Sequence, residues 1–313
     1  MYLIVARSFP PEIGGIQNLM WGLTNELSKH YMLKVFADYH DNHKDCDEKV
    51  SFSIERVGGI KLLRKYRKAQ LINEFIKKNK VEGIIADHWK SLELIKTDKK
   101  KICLIHSKEI NHKKGTNLNK RVLDVLDDVE TIVANSKYTK DLAITLGVAE
   151  NKITLINPGI DPVQELDKKS QDKVKNLLKH KTPILITISR FDKRKNHEKV
   201  IMTLRNLKQM YPDIVYICVG YGEEEENLKK LVEELDLKEQ VMFFKEISNE
   251  FKNSLLAKSN IFVMPSIIYK KSVEGFGIVY IEAAQYGVPS IGGKDGGASD
   301  APPSIPPIEG TPY

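Results

Sequence analysis

Short, evenly apolar runs alternate along the chain with longer stretches whose apolar residues recur every three or four positions. In the first half the runs are Tyr2–Ala6, Met32–Ala37, Gly83–Ala86, Lys101–Ile105 and Thr131–Ala134. Each is too short and too uniformly apolar for a half-solvated strand and reads as a buried strand of a parallel sheet. The stretches between them, among them Gln17–Lys29, Ile60–Lys78 and Asn119–Asp127, carry helical spacing. Strand, helix, strand repetition predicts a parallel sheet wrapped by helices.

A second series follows the polar run Gln164–Lys181, which has no strand signal but has room for a helix. Its strands are Pro183–Ile188, Val215–Val219, Val241–Phe244, Ile261–Met264 and Pro289–Ile291, with helices near 197–211, 223–236, 249–258 and 278–286. The expected organisation is a first Rossmann-like domain over 1–161, a linker over 162–182, a second Rossmann-like domain over 183–301 and an irregular tail over 302–313. Five prolines in the tail, PPSIPPIEGTPY, exclude a helix or central strand there. Open parallel sheets collect ligands at the carboxyl ends of their strands, so two of them predict a site in a cleft.

Composition narrows this picture. At 313 residues, with 41% hydrophobic and 29% charged positions, the chain fits a soluble protein of about two domains. Three scattered cysteines, Cys46, Cys103 and Cys218, make no disulfide framework and read as free thiols of a reducing compartment. No run approaches the ~20 apolar residues of a membrane span, and MYLIVARSFPPE lacks a signal-peptide pattern. The expected location is the cytoplasm, with peripheral contact on the inner face of its membrane.

Three stretches carry chemistry. In SFPPEIGGIQ, Gly14 and Gly15 lie between a strand and a helix start, where a backbone without Cβ admits close ligand approach; taken alone, a Gly-Gly pair is more often just a turn. In LITISRFDKRKN, a strand delivers Arg190, then Lys193, Arg194 and Lys195, to a loop at its carboxyl end, either as a solvated basic face or as a phosphate clamp. In PSIIYKKSVEGFGIVYIEAA, Glu274 and Glu282 bracket a Gly-rich turn and a helix start whose amides favour an anion. Elsewhere, His40, His43 and Cys46 sit in a polar loop without a fourth ligand, and His88 follows a strand as a lining or capping residue. No D-x-D pair stands at a strand end to hold a metal.

Together with LIHSKE, NSKYT, INPGID, VGYGEEEENL, EAAQYGVP and GGASDA, in this order, these stretches resemble the retaining glycosyltransferases of family 4. The resemblance implies the GT-B architecture, two Rossmann-like domains facing across a cleft. It implies a metal-independent transfer of a hexose from a UDP- or GDP-sugar to a glycan or lipid-linked acceptor, in envelope polysaccharide or glycolipid synthesis, with no further cofactor. Residue by residue, Glu274 and Glu282 match the family's E-x7-E pair, for the donor sugar and the ribose respectively. Phe276, Gly277 and Ile278 would offer amides to the diphosphate alongside Arg190 and Lys195. Gly14 and Gly15 would approach the same phosphates, and His106 matches the histidine near the reacting carbon. Arg190, Lys195, Glu274 and His106 are thus the expected catalytic group.

Within the family, the chain is most similar to members that mannosylate phosphatidylinositol-type lipids, which favours GDP-mannose; Lys245 stands where the base-facing loop usually has Gly. The resemblance ends near residue 301, before the family's last strands and helices, so the second domain is expected to be incomplete. An inactive chain acting as a nucleotide-sugar-binding or partner subunit is the alternative.

The net charge of +7 is uneven: residues 1–160 hold 27 basic and 20 acidic side chains, and residues 161–313 hold 22 of each. Between Arg56 and Lys80 nine basic residues meet one acid, Glu74, with Leu62, Leu63, Tyr66, Leu71, Phe75 and Ile76 among them. This pattern suits an anionic membrane surface, or an ordinary helix with a solvated basic face. No aromatic-basic interleaving supports nucleic-acid binding.

Overall fold

The computed structural model describes residues 1–301 and divides into two compact units, Met1–Asp161 and a second from Pro162 onward. The proline-rich tail lies outside the described residues.

The first unit runs β1 (Tyr2–Val5), α1 (Gly15–Ser28), β2 (Leu33–Asp38), α2 (Lys44–Asp47), β3 (Ser53–Val57), α3 (Lys61–Lys78), β4 (Gly83–Ala86), α4 (Trp89–Leu92), β5 (Lys100–Ile105), α5 (Asn117–Asp127), β6 (Thr131–Ala134), α6 (Lys137–Leu146) and β7 (Ile153–Leu155). Its seven strands are parallel, in the order β3-β2-β1-β4-β5-β6-β7. One core face packs Leu3, Val5, Phe36 and Trp89; the other packs Ile4, Val35, Ala37 and Met20. The two faces alternate along each strand, as a sheet covered on both sides requires. Helix ends follow local chemistry: the Ser136 hydroxyl accepts the Thr139 amide to open α6, and Gly147 closes it at φ 110°.

The second unit runs α7 (Lys168–Leu177), β8 (Ile184–Ile188), α8 (His197–Met210), β9 (Val215–Val219), α9 (Glu225–Glu234), β10 (Val241–Phe244), α10 (Asn249–Lys258), β11 (Ile261–Met264), α11 (Ile278–Gln285) and β12 (Ser290–Gly292). Its five parallel strands are ordered β10-β9-β8-β11-β12. In each sheet the strand order turns once, between β1 and β4 in the first and between β8 and β11 in the second. These are the switch points at which open α/β sheets form ligand crevices.

Two expectations need correction. The segment 162–182 is no bare linker: α7 buries Val174, with Leu178 just beyond it, in the same core as Phe251, Leu255 and Leu256. Its apolar positions four apart share one helix face. The basic stretch Arg56–Lys80 is also not one continuous face. Arg56 is buried on Asp47 at 2.6 Å and donates to the Pro10 carbonyl, while Lys68 is buried on Asp38 at 2.6 Å. Two separate parts remain in water: Lys77, Lys78 and Lys80 at the far end, and the head of α3, with Ile60 70%, Leu62 81%, Leu63 59% and Tyr66 54% exposed beside Lys61, Lys65 and Arg67.

Candidate active site

The second unit's switch point gathers the sequence's most specific residues. After β8, the Asp192 side chain accepts the Lys195 amide at 3.1 Å and folds Lys193–Lys195 into a tight turn. That turn sends Arg194 and Lys195 inward. Asn196 donates to the Pro265 carbonyl at 3.1 Å, and the Ile267 amide donates to the Arg194 carbonyl at 2.9 Å. The loops leaving β8 and β11 are thereby bound to each other.

Glu274 is the focus of this arrangement. Its Oε2 accepts from Arg194 Nη1 at 2.5 Å and from Lys195 Nζ at 2.6 Å, with Ser266 Oγ at 3.5 Å. Burial by itself would raise the Glu274 pKa, but the Lys195 and Arg194 charges outweigh it and hold the carboxyl at about 2, against an ordinary 4.5. Burial in turn pulls the Lys195 ammonium below its usual range. The clamp holds one carboxylate oxygen, Oε2, with all three donors on it.

The turn that carries Glu274 tolerates little substitution. Gly277 sits at φ 88°, where an added Cβ would lie 2.5 Å from the Tyr280 ring. The Tyr280 hydroxyl donates to the Met264 carbonyl at 2.6 Å, fixing that ring. Gly296, at φ 72°, passes so close that a Cβ would lie 2.6 Å from the Glu274 carbonyl, and the Gly297 amide donates to that carbonyl at 2.8 Å. The GGASDA stretch therefore braces Glu274 from behind. Phe276 buries its ring in the core beside Gly277, and Ile278 opens α11, whose first-turn amides lack helical acceptors. Glu282 lies on α11, 3.8 Å from Lys252 Nζ of α10 and outside the Glu274 clamp.

Arg190 is placed differently from Lys195. Its side chain is 71% exposed and reaches only Asp192, at 3.9 Å. The buried guanidinium on Glu274 belongs to Arg194, a member of the same basic cluster that the sequence did not single out as a site residue. The signal was available: Asp192 three residues before Lys195 is a capping pattern, and the turn it makes points residue 194 inward.

In the first unit, Gly14 caps α1 in extended backbone and Gly15 begins that helix. The preceding loop is held by Arg56, whose guanidinium lies 5.5 Å from the Phe9 ring centroid. His106, after β5, is buried; its Nε2–H donates to the Asp87 carbonyl at 3.0 Å and its amide donates to Glu109 Oε1 at 2.5 Å. His88 caps α4, its Nδ1 accepting the Lys90 amide at 2.9 Å. His43 pairs with Asp47 at 2.8 Å. Among the described residues no three His, Cys, Asp or Glu side chains converge as a metal site, and no helix is long and apolar enough to cross a membrane.

Comparison with known proteins agrees with this architecture. Residues 13–164 match the model described as Glycosyltransferase Family 4, and residues 168–301 match Glycosyl transferases group 1. The chain is a glycosyltransferase of the two-domain GT-B class. More particularly, it belongs with the family 4 enzymes and is homologous to GDP-mannose-dependent mannosyltransferases. One relative is the GDP-mannose-dependent alpha-(1-6)-phosphatidylinositol monomannoside mannosyltransferase of Mycolicibacterium smegmatis, 24% identical over 95% of this chain and 81% of that protein. A second, a monoacylated-substrate counterpart from Corynebacterium glutamicum, is 24% identical over 98% of this chain and 83% of its own length. Among solved structures, HepE of Anabaena in complex with UDP superposes with a TM-score of 0.78 at 17% identity, covering 96% of this chain and 82% of that one. WaaG, a glycosyltransferase of lipopolysaccharide biosynthesis, superposes at 0.69 with 15% identity, covering 96% and 82%.

Proposed function

We propose that the chain is a retaining hexosyltransferase that moves a hexose from a nucleoside diphosphate sugar onto a lipid-linked or glycan acceptor, in the synthesis of envelope glycolipid or polysaccharide. The observation that carries this reading is Glu274 at the β8–β11 switch point, ionised by two buried cations that hold one of its oxygens. A carboxylate so fixed suits hydrogen bonds to sugar hydroxyls.

In such a transfer the bond between the anomeric carbon and the phosphate oxygen breaks, the acceptor oxygen takes the carbon, and the acceptor's proton leaves to the departing phosphate. Negative charge grows on the diphosphate while the sugar becomes cationic, so fixed positive groups at the phosphate lower the barrier. Lys195, Arg190 and the amides of Phe276, Gly277 and Ile278 are proposed for that work, and Glu282 for the ribose. From the first unit, Gly14 and Gly15 are proposed to admit phosphate and His106 to stand near the reacting carbon. The positive groups named supply the charge without a metal ion. Homology to GDP-mannose enzymes favours GDP-mannose as donor.

A peripheral site of action on the inner face of the cytoplasmic membrane is proposed for the exposed head of α3. Its solvent-facing Leu62, Leu63 and Tyr66 beside Lys61, Lys65 and Arg67 combine apolar insertion with attraction to anionic head groups. The test of the whole reading is a thermal-shift titration with UDP- and GDP-sugars, run on the chain and on Glu274→Gln. A rise in melting temperature with one donor that exceeds the rise with its nucleoside diphosphate, the excess being lost in the variant, is the expected result; no rise with any donor would overturn it.

A further inference from the structure

A second concave site lies at the amino ends of the second unit's central strands, at the opposite end of that sheet from Glu274. The chain leaves α7 through Leu178, turns at His180, which has φ 69°, and enters β8 at Ile184, while α10 ends just before Asn260 and β11. Asn260 pins the two strand entries together: its amide donates to the Ile184 carbonyl at 2.8 Å, and its Oδ1 accepts the Ile184 amide at 2.8 Å. The result is a cavity of about 330 Å³, with the buried Leu178 and Ile184 as the apolar part of its lining.

The rest of the lining is cationic. Lys175, Lys179, Lys181 and Lys258 surround the cavity together with His180, and no Asp or Glu lines it. The Lys175, Lys179 and Lys258 ammoniums make no hydrogen bond or ion pair among the described residues, and Lys181 Nζ reaches only the backbone carbonyl of Glu239, at 3.0 Å. Asp213 and Glu239, the acids whose carbonyls accept from Thr182 and Lys181, ion-pair with none of these lysines. Lysines near a helix end commonly answer its negative pole, and two helices, α7 and α10, end at this cavity. Each end is worth roughly half a negative charge, about one in all, so four ammoniums leave an excess of about three positive charges. Like charges gathered around one cavity repel each other, and a multivalent anion between them removes that repulsion.

We infer that this cavity is an anion site that takes a diphosphate or a pair of phosphates on a small molecule or head group. Lysine ammoniums bind phosphate as point charges, without the planar fork that Arg offers a carboxylate. No Phe, Tyr or Trp lines the cavity, so it has no platform on which to stack a nucleobase, and its volume lies at the lower end of small-molecule sites. The site is separate from the Glu274 clamp and does not depend on the transferase reading.

The test uses the full chain labelled on histidine ring nitrogens and titrated with inorganic pyrophosphate, the ionic strength being held constant with sodium chloride. A parallel arm uses phosphatidylcholine nanodiscs carrying phosphatidic acid. His180 reads the cavity, and His197, two residues beyond Lys195, reads the Glu274 end of the sheet separately. The His180 signal is expected to move saturably with pyrophosphate. Lys175→Gln combined with Lys258→Gln should weaken that titration by about ten-fold, the size of two exposed charge contacts. Lys96→Gln combined with Lys230→Gln removes the same net charge at exposed positions outside the cavity and should leave it unchanged. Movement with pyrophosphate assigns the site to a soluble phosphate compound, and movement only with nanodiscs assigns it to a lipid head group; either supports the site. A His180 signal that stays still in both arms, whether or not His197 moves, would overturn the inference. So would an affinity of the Lys175 and Lys258 double variant within about two-fold of the parent, or an equal loss in the Lys96 and Lys230 pair. No sugar nucleotide enters this experiment, so its failure leaves the donor reading standing, and failure of the donor titration leaves this one readable.

Discussion

Replacing Glu274 by Gln keeps the shape of the side chain and removes the one charge that Arg194 and Lys195 share. The carboxyl is held at about 2 instead of 4.5, and a depression of that size corresponds to about 3 kcal/mol of stability at neutral pH. Breaking a buried ion pair from one side costs about 3–5 kcal/mol, because the surviving charges stay buried, so the two estimates agree. For a domain of this size each kcal/mol moves the melting temperature by about 2–4 °C, giving an expected fall of roughly 6–12 °C at pH 7. Because the folded-state pKa is depressed, this stabilisation is fully present above the ordinary carboxylate pKa near 4.5 and is lost as pH falls through about 2. Parent and variant should therefore converge as acid is added. Calorimetry reads the shift. Fluorescence of Trp21 and Trp89, both in the first unit, identifies the transition that belongs to that unit. A variant within 2 °C of the parent at pH 7, or a gap that stays constant down to pH 2, would refute the reasoning.

Gly277→Ala puts a Cβ 2.5 Å from the Tyr280 ring at φ 88°, and should cost about 1–3 kcal/mol while weakening nucleotide-sugar binding, as seen in paired melting and titration experiments. Arg190→Gln removes an exposed side chain, so the melting temperature should hold within about 1 °C. Its turnover should nevertheless drop about ten-fold or more if the guanidinium meets the leaving phosphate; unchanged turnover removes Arg190 from the proposed machinery. Leu62→Asp with Leu63→Asp, at exposed positions, should leave folding intact and abolish co-sedimentation with phosphatidylglycerol vesicles. Undiminished co-sedimentation would move the membrane face elsewhere.

The alternation of apolar runs and helical spacing was enough to place most strands, because buried parallel strands such as Val215–Val219 and Ile261–Met264 leave uniform apolar signatures. Two strands escaped it. β3, SIERV, fully buries only Val57, and β7, ITL, only Ile153; both are sheet-edge strands, with Ser53, Thr154 and Leu155 exposed. The same limit applies to charge. Lys68 and Arg56 read as surface cations until Asp38, 30 residues before Lys68, and Asp47, nine before Arg56, are brought to them. The Gly-rich turn was legible because backbone geometry at Gly277 demands glycine. Which cations of the basic run point inward was not legible, because direction there is set by the Asp192-capped turn and not by composition.

Glu274 and its clamp are proposed as the donor-sugar site of a transferase. The most direct measurement is isothermal titration of the full chain with GDP-mannose and with GDP alone, repeated on Glu274→Gln. The account predicts that the parent binds the sugar nucleotide more tightly than GDP and that the variant loses this margin while still binding GDP. A margin that survives intact in Glu274→Gln would contradict it.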